Sequence, residues 1–311
     1  MTRSAVVALA LALGACGNYS TEDLRFLAAL PVREDLQVAV PSEGNPGALT
    51  YCPLGRADVW LWAKPTSDGL NRGVGFVISL IDVVRHNPPT AREENLRRWG
   101  PFPDDKHPGH EIQIVMQRSY GSDGSPVHAY AFQARETGVG EFQDIIAGTF
   151  TGASSARGHG NVVLSFDTIW ALRMNDDTTP HGTMQIVYDR TGDPVTIELQ
   201  LTQEGFGVVQ FGYGFAGYAN GTGAFDYRFR NADGDVLTVE TSYDATGAGR
   251  AEVAYVASGG AIGSFRECWS LDACLTYVDD PSSFTCPAHT SCSRGFFVTC
   301  VAVPVPPFPP P

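Results

Sequence analysis

The sequence contains few basic residues. It has 21 lysines and arginines against 34 aspartates and glutamates, which gives a net charge of −13. A chain this acidic repels the phosphates of DNA and RNA, so we expect no nucleic acid partner. The same charge argues against electrostatic binding to anionic lipid headgroups.

Long hydrophobic runs and several enzyme motifs are also missing. The longest apolar stretch after the N-terminus, Val74 to Val84, is interrupted by Ser79 and Asp82 and is too short to span a bilayer. There is no Gly-x-Ser-x-Gly elbow for serine catalysis and no complete dinucleotide fingerprint. We therefore predict no catalytic residue, cofactor or metal. A hydrolase with carboxylates from distant strands stays open as a remote alternative.

The most informative feature that is present is a short N-terminal signal. Arg3 supplies a positive charge, and an apolar run from Ala5 to Leu13 leads through small residues to Cys16. Such a run is too short for a transmembrane helix but is typical of a signal peptide. The segment Leu13-Gly14-Ala15-Cys16 resembles the bacterial lipobox.

The lipobox resemblance implies cleavage before Cys16 and a diacylglycerol on its thiol. Each buried methylene contributes about 0.8 kcal/mol, so two or more chains hold a protein stably in a membrane. Gly17 stands where lipoproteins retained in the inner membrane carry Asp, which favours the outer membrane. Cleavage removes Arg3, so the net charge changes from −13 to −14. An ordinary secretory signal, with Cys16 incidental, is the alternative.

Six further cysteines predict disulfide bonds, because the implied compartment is oxidising. They are Cys52, Cys268, Cys274, Cys286, Cys292 and Cys300. Five of them lie near the C-terminus and cannot all pair with one another, so we expect Cys52 to bond to one of the five. Zinc binding is the alternative, but the cysteines lack the Cys-x-x-Cys spacing of zinc sites.

Three helices are predicted in the first third of the chain. A short one begins at Thr21 and ends before Pro31. Apolar residues at three-to-four spacing predict a long helix from Asp68 to His86, buried against a sheet. A shorter amphipathic helix is predicted from Ala91 to Trp99.

From Glu111 to Ala257 the period of the apolar residues changes to two. Roughly ten short strands without helices between them predict a long antiparallel meander. A sheet of that length curls into a barrel or half-barrel, because twist accumulates from strand to strand. The fold class is therefore mainly β, with one or two packed helices. The predicted strands are 111–117, 128–134, 142–150, 161–173, 183–188, 195–202, 207–215, 224–230, 236–243 and 251–257.

The pattern divides the chain into five parts. Residues 1–15 are the signal peptide, and 16–50 are the anchor and tether with the short helix. Residues 51–262 form the helix and barrel-like domain. A loop-rich, disulfide-stapled extension follows over 263–300, and 301–311 is a proline-rich tail.

Two kinds of loop carry potential metal ligands. The segment Asp104-Asp105-Lys106-His107-Pro108-Gly109-His110 could bind a transition metal, but Pro-Gly between the histidines favours a solvated turn. Asn231–Asp235 and Asn175–Asp177 resemble fragments of calcium loops, and we predict hairpin turns there because the bidentate Glu is missing. His159 is predicted to lie in a turn.

Two further resemblances concern short stretches of the chain and its predicted architecture. The stretch from Cys16 to Pro31 is similar to the start of hypothetical lipoproteins from myxobacteria, and Pro88-Pro89-Thr90 followed by Trp99-Gly100-Pro101 is similar to a second stretch in them. No activity comes with this resemblance. The predicted architecture is also similar to LolB-type half-barrels, which cover an apolar groove with helices, but no motif is shared.

We therefore expect a membrane-anchored extracytoplasmic protein with a non-catalytic role, either structural in the envelope or in binding another protein. The alternative is a carrier of a lipid or other hydrophobic ligand inside the curved sheet. A continuous apolar cavity of several hundred Å³ would favour the carrier.

Overall fold

The computed structural model describes residues 19–37, 51–152, 157–176, 179, 181–204, 208–281 and 292–295. Within these ranges fifteen strands form one antiparallel sheet, in which each strand pairs with its neighbours in the sequence. No pairing between described residues joins the first strand to the last, so the sheet is open, as in a half-barrel. The predicted mainly β meander is confirmed.

The helices and strands have the following bounds. The helices are α1 (Thr21–Ala28), α2 (Arg33–Leu36), α3 (Asp58–His86) and α4 (Phe166–Ala171). The strands are β1 (Ala91–Glu93), β2 (Leu96–Pro103), β3 (His110–Tyr120), β4 (Pro126–Glu136), β5 (Gln143–Gly152), β6 (Gly158–Ser165), β7 (His181–Asp189), β8 (Val195–Glu204), β9 (Val208–Gly217), β10 (Gly223–Asn231), β11 (Val236–Tyr243), β12 (Gly249–Val256), β13 (Ile262–Trp269), β14 (Leu275–Asp280) and β15 (Cys292–Gly295).

Alternation along the strands separates a buried inner face from a polar outer face. One row across the sheet, from β7 to β13, consists entirely of buried apolar and aromatic residues, each opposite the next in register. The row is Ile186, Leu199, Tyr213, Tyr227, Val239, Val253 and Phe265. This inner face belongs to the same hydrophobic cluster as buried residues of α1 and α3. The core therefore lies between the sheet and these helices.

The long helix α3 ends at His86, as predicted, but begins ten residues before the predicted Asp68. Its N-cap residue Ala57 has no capping side chain. The Glu267 carboxylate of β13 instead accepts hydrogen bonds from the backbone N–H groups of Asp58 (3.0 Å) and Val59 (2.6 Å). A cap that comes from a distant strand leaves no local signal in the sequence.

The predicted helix from Ala91 to Trp99 is wrong, because this segment forms the hairpin β1–β2 at the edge of the sheet. Its amphipathic pattern is compatible with a helix or a strand, and packing against the rest of the protein determines which of the two forms. Trp99 is fully buried, and its indole N–H donates to the Asn87 carbonyl at 2.7 Å. Pairing with β3 then fixes the segment as a strand.

Two other predictions change at their boundaries. The strand predicted over 161–173 ends at Ser165, whose hydroxyl caps the short helix α4. The segment after Gly263 is not loop-rich in its described part, since β13, β14 and β15 continue the same sheet. Polar and cysteine residues interrupt the apolar alternation in this segment, so the sequence alone does not show these strands.

The predicted bond from Cys52 to the C-terminal cysteines is present. Cys52 is joined to Cys274, 222 residues away. This disulfide fastens the segment before α3 to the β13–β14 turn, where the Ala57 N–H also donates to the Ala273 carbonyl at 3.0 Å. Cys268 is disulfide-bonded as well. Cys16, the side chains of Cys286, Cys292 and Cys300, and the tail 301–311 lie outside the described part of the chain.

Candidate functional site

The N-terminal helix α1 is docked against the inner face of the sheet through a buried ion pair. Asp23 is fully buried, and its carboxylate accepts from Nε of Arg97 at 2.5 Å and from Nε of Arg92 at 3.0 Å. Arg97 is itself only 5% exposed. Asp23 also forms a capping box with Ser20, so one side chain both starts the helix and docks it.

The electrostatics of this ion pair favour the ionised carboxylate. Burial would raise the pKa of Asp23, but hydrogen bonds from the Ser20 backbone N–H and from the Arg97 and Arg92 guanidinium groups outweigh it. Together they lower that pKa to about 2. Docking of α1 through this group is therefore maintained at neutral pH.

Phe26 follows one turn later on the buried side of α1. Its ring lies 4.8 Å from the guanidinium carbon of Arg97 and 5.3 Å from that of Arg118, which are cation–π contacts. The His128 ring meets it edge-on at 5.4 Å. Burial, followed by the positive charge of Arg118, lowers the pKa of His128. Neither nitrogen of this ring has a hydrogen-bond partner among the described residues.

The chain just before α1 is also attached to the body. The Tyr19 hydroxyl donates to the Arg85 carbonyl at 3.2 Å, at the C-terminal end of α3. Cys16 precedes Tyr19 by three residues, and three residues of extended chain span at most about 10 Å. The hydrogen bond thus fixes the start of the described chain to the end of α3.

Glu267, which caps α3, is an unusual buried carboxylate. It is 1% exposed, and burial, aided by the charge of Asp58, raises its pKa to about 7 although the two backbone hydrogen bonds lower it. Asp58 lies beside Asp280, and burial followed by the charge of Asp280 raises the pKa of Asp58 as well. The N-terminus of α3 thus carries the half-buried Asp58 and lies beside two buried acids, Glu267 and Asp280.

This cap gives the protein a pH-dependent stability. Between the ordinary Glu pKa of about 4.5 and the folded value of about 7, the unfolded chain releases a proton that the folded chain retains. The free energy of unfolding should therefore decrease as the pH rises through this range, by roughly 3 kcal/mol, and level off above it. Urea unfolding at a series of pH values measures the change.

The matched control for this prediction is Glu267→Gln, which retains an acceptor for the two backbone N–H groups but does not titrate. Subtracting its pH profile from that of the unmodified protein isolates the contribution of Glu267. Parallel profiles between pH 4.5 and 7 would contradict the assignment.

A second feature, which we call the outer groove, is a hollow on the outer face of β8 to β12 with a volume of about 1200 Å³. Its floor includes Gly212 and Gly214, whose lack of side chains deepens it. Charged and polar residues project into it, because the outward residues of each strand alternate with buried inner residues, and apolar residues complete its lining. Asp226, for example, stands between the buried Phe225 and Tyr227.

Carboxylates form a row across this groove. In register from β8 to β12, the row runs Glu198, Gly214, Asp226, Glu240 and Glu252. Four strand spacings of about 4.8 Å give it a length of roughly 19 Å. Burial, and then the charge of Glu240, raise the pKa of Asp226, while Arg228 opposes the shift.

Arginines flank the acidic row on both sides along the strands. Arg228 and Arg230 follow Asp226 on β10, and Arg250 precedes Glu252 on β12. Glu252 forms an exposed ion pair with Arg266, whose Nε lies 3.4 Å from its Oε1. Ser242, one row away, is 2% exposed, and its hydroxyl has no hydrogen-bond partner in the described part of the molecule. The groove thus combines carboxylates that face solvent with a buried hydroxyl that has no partner among the described residues.

The loop with the densest potential metal ligands uses its side chains to hold its own shape. Asp104 accepts from the Lys106 backbone N–H at 2.9 Å and lies 2.7 Å from Nδ1 of His107. Nε2 of His110 is 2.7 Å from the Leu172 carbonyl. A hollow of about 360 Å³ lies beside this loop. Over the described ranges, no three His, Cys, Asp or Glu side chains are arranged to hold a metal ion.

The calcium-like segment Asn231–Asp235 is a hairpin turn, as predicted. The Asn231 side chain accepts from the Asp235 backbone N–H at 2.8 Å, and Asp235 accepts from the Tyr255 hydroxyl at 2.9 Å. His159 lies within β6, opposite Asp189 of β7, rather than in the predicted turn. The Asn175–Asp177 segment is only partly within the described residues.

Comparisons with family models, with curated proteins and with solved structures give no match for this chain. The similarity to myxobacterial lipoproteins therefore stays a prediction. In the part of the chain that the structure describes, no helix is both long and apolar enough to cross a membrane.

Sequence reasoning missed both the docked ion pair and the outer groove. The alternation of Asp226 and Arg228 with aromatic residues is visible in the sequence, but the row of acids depends on the register of five strands. The predicted helix over Ala91–Trp99 contains Arg97 and gives no sign that this arginine faces the core. The signal that could have shown it is the alternation of Arg97 and Trp99 with the exposed Arg98, which places both on the buried face of a strand.

Proposed function

We propose that this protein is an extracytoplasmic lipoprotein, anchored through Cys16 in the outer membrane rather than the inner one, with a non-catalytic role in binding another envelope protein. The observation that supports this proposal is the docked N-terminal segment. The chain is fixed to the body at Tyr19, three residues after the proposed lipid site. A lipid there would hold the body directly at the membrane surface.

Protein binding is preferred over the carriage of a hydrophobic ligand. A carrier needs a continuous apolar cavity. The buried face of the sheet instead forms one continuous hydrophobic cluster with α1 and α3. The large hollow lies on the other face, where charged residues line it together with apolar ones. A groove with charged walls on an anchored body suits a macromolecular partner.

The experiment that tests anchoring is the replacement Cys16→Ser, with membrane fractionation and labelling by radioactive palmitate. We expect the unmodified protein to fractionate with membranes and to carry label, and the variant to lose both. Gly17→Ala is the matched control, because it changes the neighbouring residue and keeps the thiol. A serine variant that still fractionates with membranes to the same extent would contradict the proposal.

A further inference from the structure

We infer that the outer groove binds an extended basic segment of a partner protein, lying across the strands along the acidic row. The inference deepens the proposed protein-binding role, on which it rests. Four observations carry it: the charge pattern of the row, the volume of the groove, the open floor and the unused Ser242 hydroxyl.

The charge pattern is unfavourable in the free protein. Asp226 is directly opposite Glu240, and Glu240 is directly opposite Glu252. Like charges directly opposite one another destabilise a sheet. Arg266 forms an ion pair with the last of the three, Glu252, at 3.4 Å. A cation placed over Asp226 and Glu240 would relieve this repulsion, which is why we assign the site to a basic ligand.

The size and spacing of the groove favour a chain over a single ion. The acidic row is roughly 19 Å long, equal to about six residues of extended polypeptide. No three described carboxylates here are arranged to hold a metal ion. A volume of about 1200 Å³ also exceeds the needs of one small cation. Lysine or arginine side chains spaced along an extended segment match these dimensions.

The floor of the groove allows a backbone to approach. A side-chain carbon built at Gly212 would meet no atom within 4 Å, so the space above it is open. Ser242 is buried beside the row, and its hydroxyl has no hydrogen-bond partner among the described residues. A backbone that enters the groove and displaces the groups covering this hydroxyl would offer it a peptide carbonyl to which it can donate.

The flanking arginines set the direction of the ligand. Arg228 and Arg230 lie on one side of the acidic row, and Arg250 lies on the other. A basic segment that ran along the strands would meet these positive charges. A segment that crosses the strands along the row lies over its four carboxylates. A second copy of this chain is a poorer ligand, because its net charge is negative and the groove requires a basic one.

The test is fluorescence anisotropy with the purified full-length protein in detergent and a fluorescein-labelled heptapeptide of alternating glycine and lysine. Asp226→Asn combined with Glu240→Gln should weaken binding at least tenfold. Gly212→Leu should weaken it similarly, since it fills the groove without changing charge. Glu94→Gln with Glu141→Gln removes two exposed charges from distant turns and should change affinity less than twofold.

Several results would overturn the inference. Equal losses in the groove and control variants would indicate non-specific attraction by the net charge. Equal binding of a peptide with glutamate in place of lysine would exclude basic recognition. A dimer in sedimentation that the Gly212→Leu variant abolishes would assign the groove to a second copy. None of these measurements requires the lipid, so their failure is distinguishable from a failure of the Cys16→Ser experiment.

Discussion

Replacing both Cys52 and Cys274 with alanine is expected to lower the free energy of unfolding by roughly 3–5 kcal/mol. The disulfide closes a loop with a sequence separation of 222 residues, so it removes much conformational entropy from the unfolded chain. It also holds the segment that leads into α3 against the β13–β14 turn. Urea unfolding of the purified variant measures the loss.

The control for this prediction is Tyr51→Ala, beside the disulfide. The Tyr51 side chain is 85% exposed, so its removal should cost less than about 0.5 kcal/mol. If the double cysteine variant were as stable as this control, contacts other than the disulfide would hold these two segments together.

The second large effect is expected from Asp23→Ala. It leaves the Arg97 guanidinium, 5% exposed, without its carboxylate, and breaking a buried pair on one side costs about 3–5 kcal/mol. The helix α1 can escape this penalty by undocking, so the loss should appear locally first. Hydrogen exchange of the α1 amides, measured by mass spectrometry, should accelerate before the sheet is affected.

Glu22→Ala is the matched control, one residue earlier on the same helix. Glu22 pairs with Arg118 at 2.8 Å, but its side chain is 38% exposed, so we expect a much smaller loss of stability than from Asp23→Ala. The Asp23 contribution should also vanish as the pH falls from about 4 to about 2, because its pKa is depressed in the folded state. Equal exchange rates in the two variants would contradict the docking role.

The fold was largely predictable from the sequence because each strand needs only a local signal. The period of two across β7 to β12 placed these strands within a few residues, and local turns made sequential pairing the simplest topology. The predictions are wrong where contact with a residue distant in the sequence determines the local structure. Glu267 extends α3 from another element, and pairing with β3 turns the Ala91–Trp99 segment into strands.

The functional sites were less predictable than the fold. Asp23 reads locally as an acid in the first turn of a helix, and only the fold reveals that it is buried against Arg97. The acidic row combines residues from positions 198 to 252, which meet only through strand register. Charge patterns across a sheet have no fixed spacing in the sequence.

The most direct test measures how close the end of the body that carries α1 lies to the membrane. Tyr120 is the last residue of β3 and lies near α1, because Arg118 of β3 donates to Glu22 of α1. Val139 lies in the turn after β4, at the other end of the hairpin. The two positions are separated by roughly 33 Å along the β3–β4 hairpin. A fluorescent amino acid is placed at one position or the other in the liposome-bound protein, with spin-labelled phospholipid as quencher. We predict several-fold stronger quenching at position 120 than at 139. Equal quenching at both positions would contradict a body held at the membrane by its docked N-terminal helix.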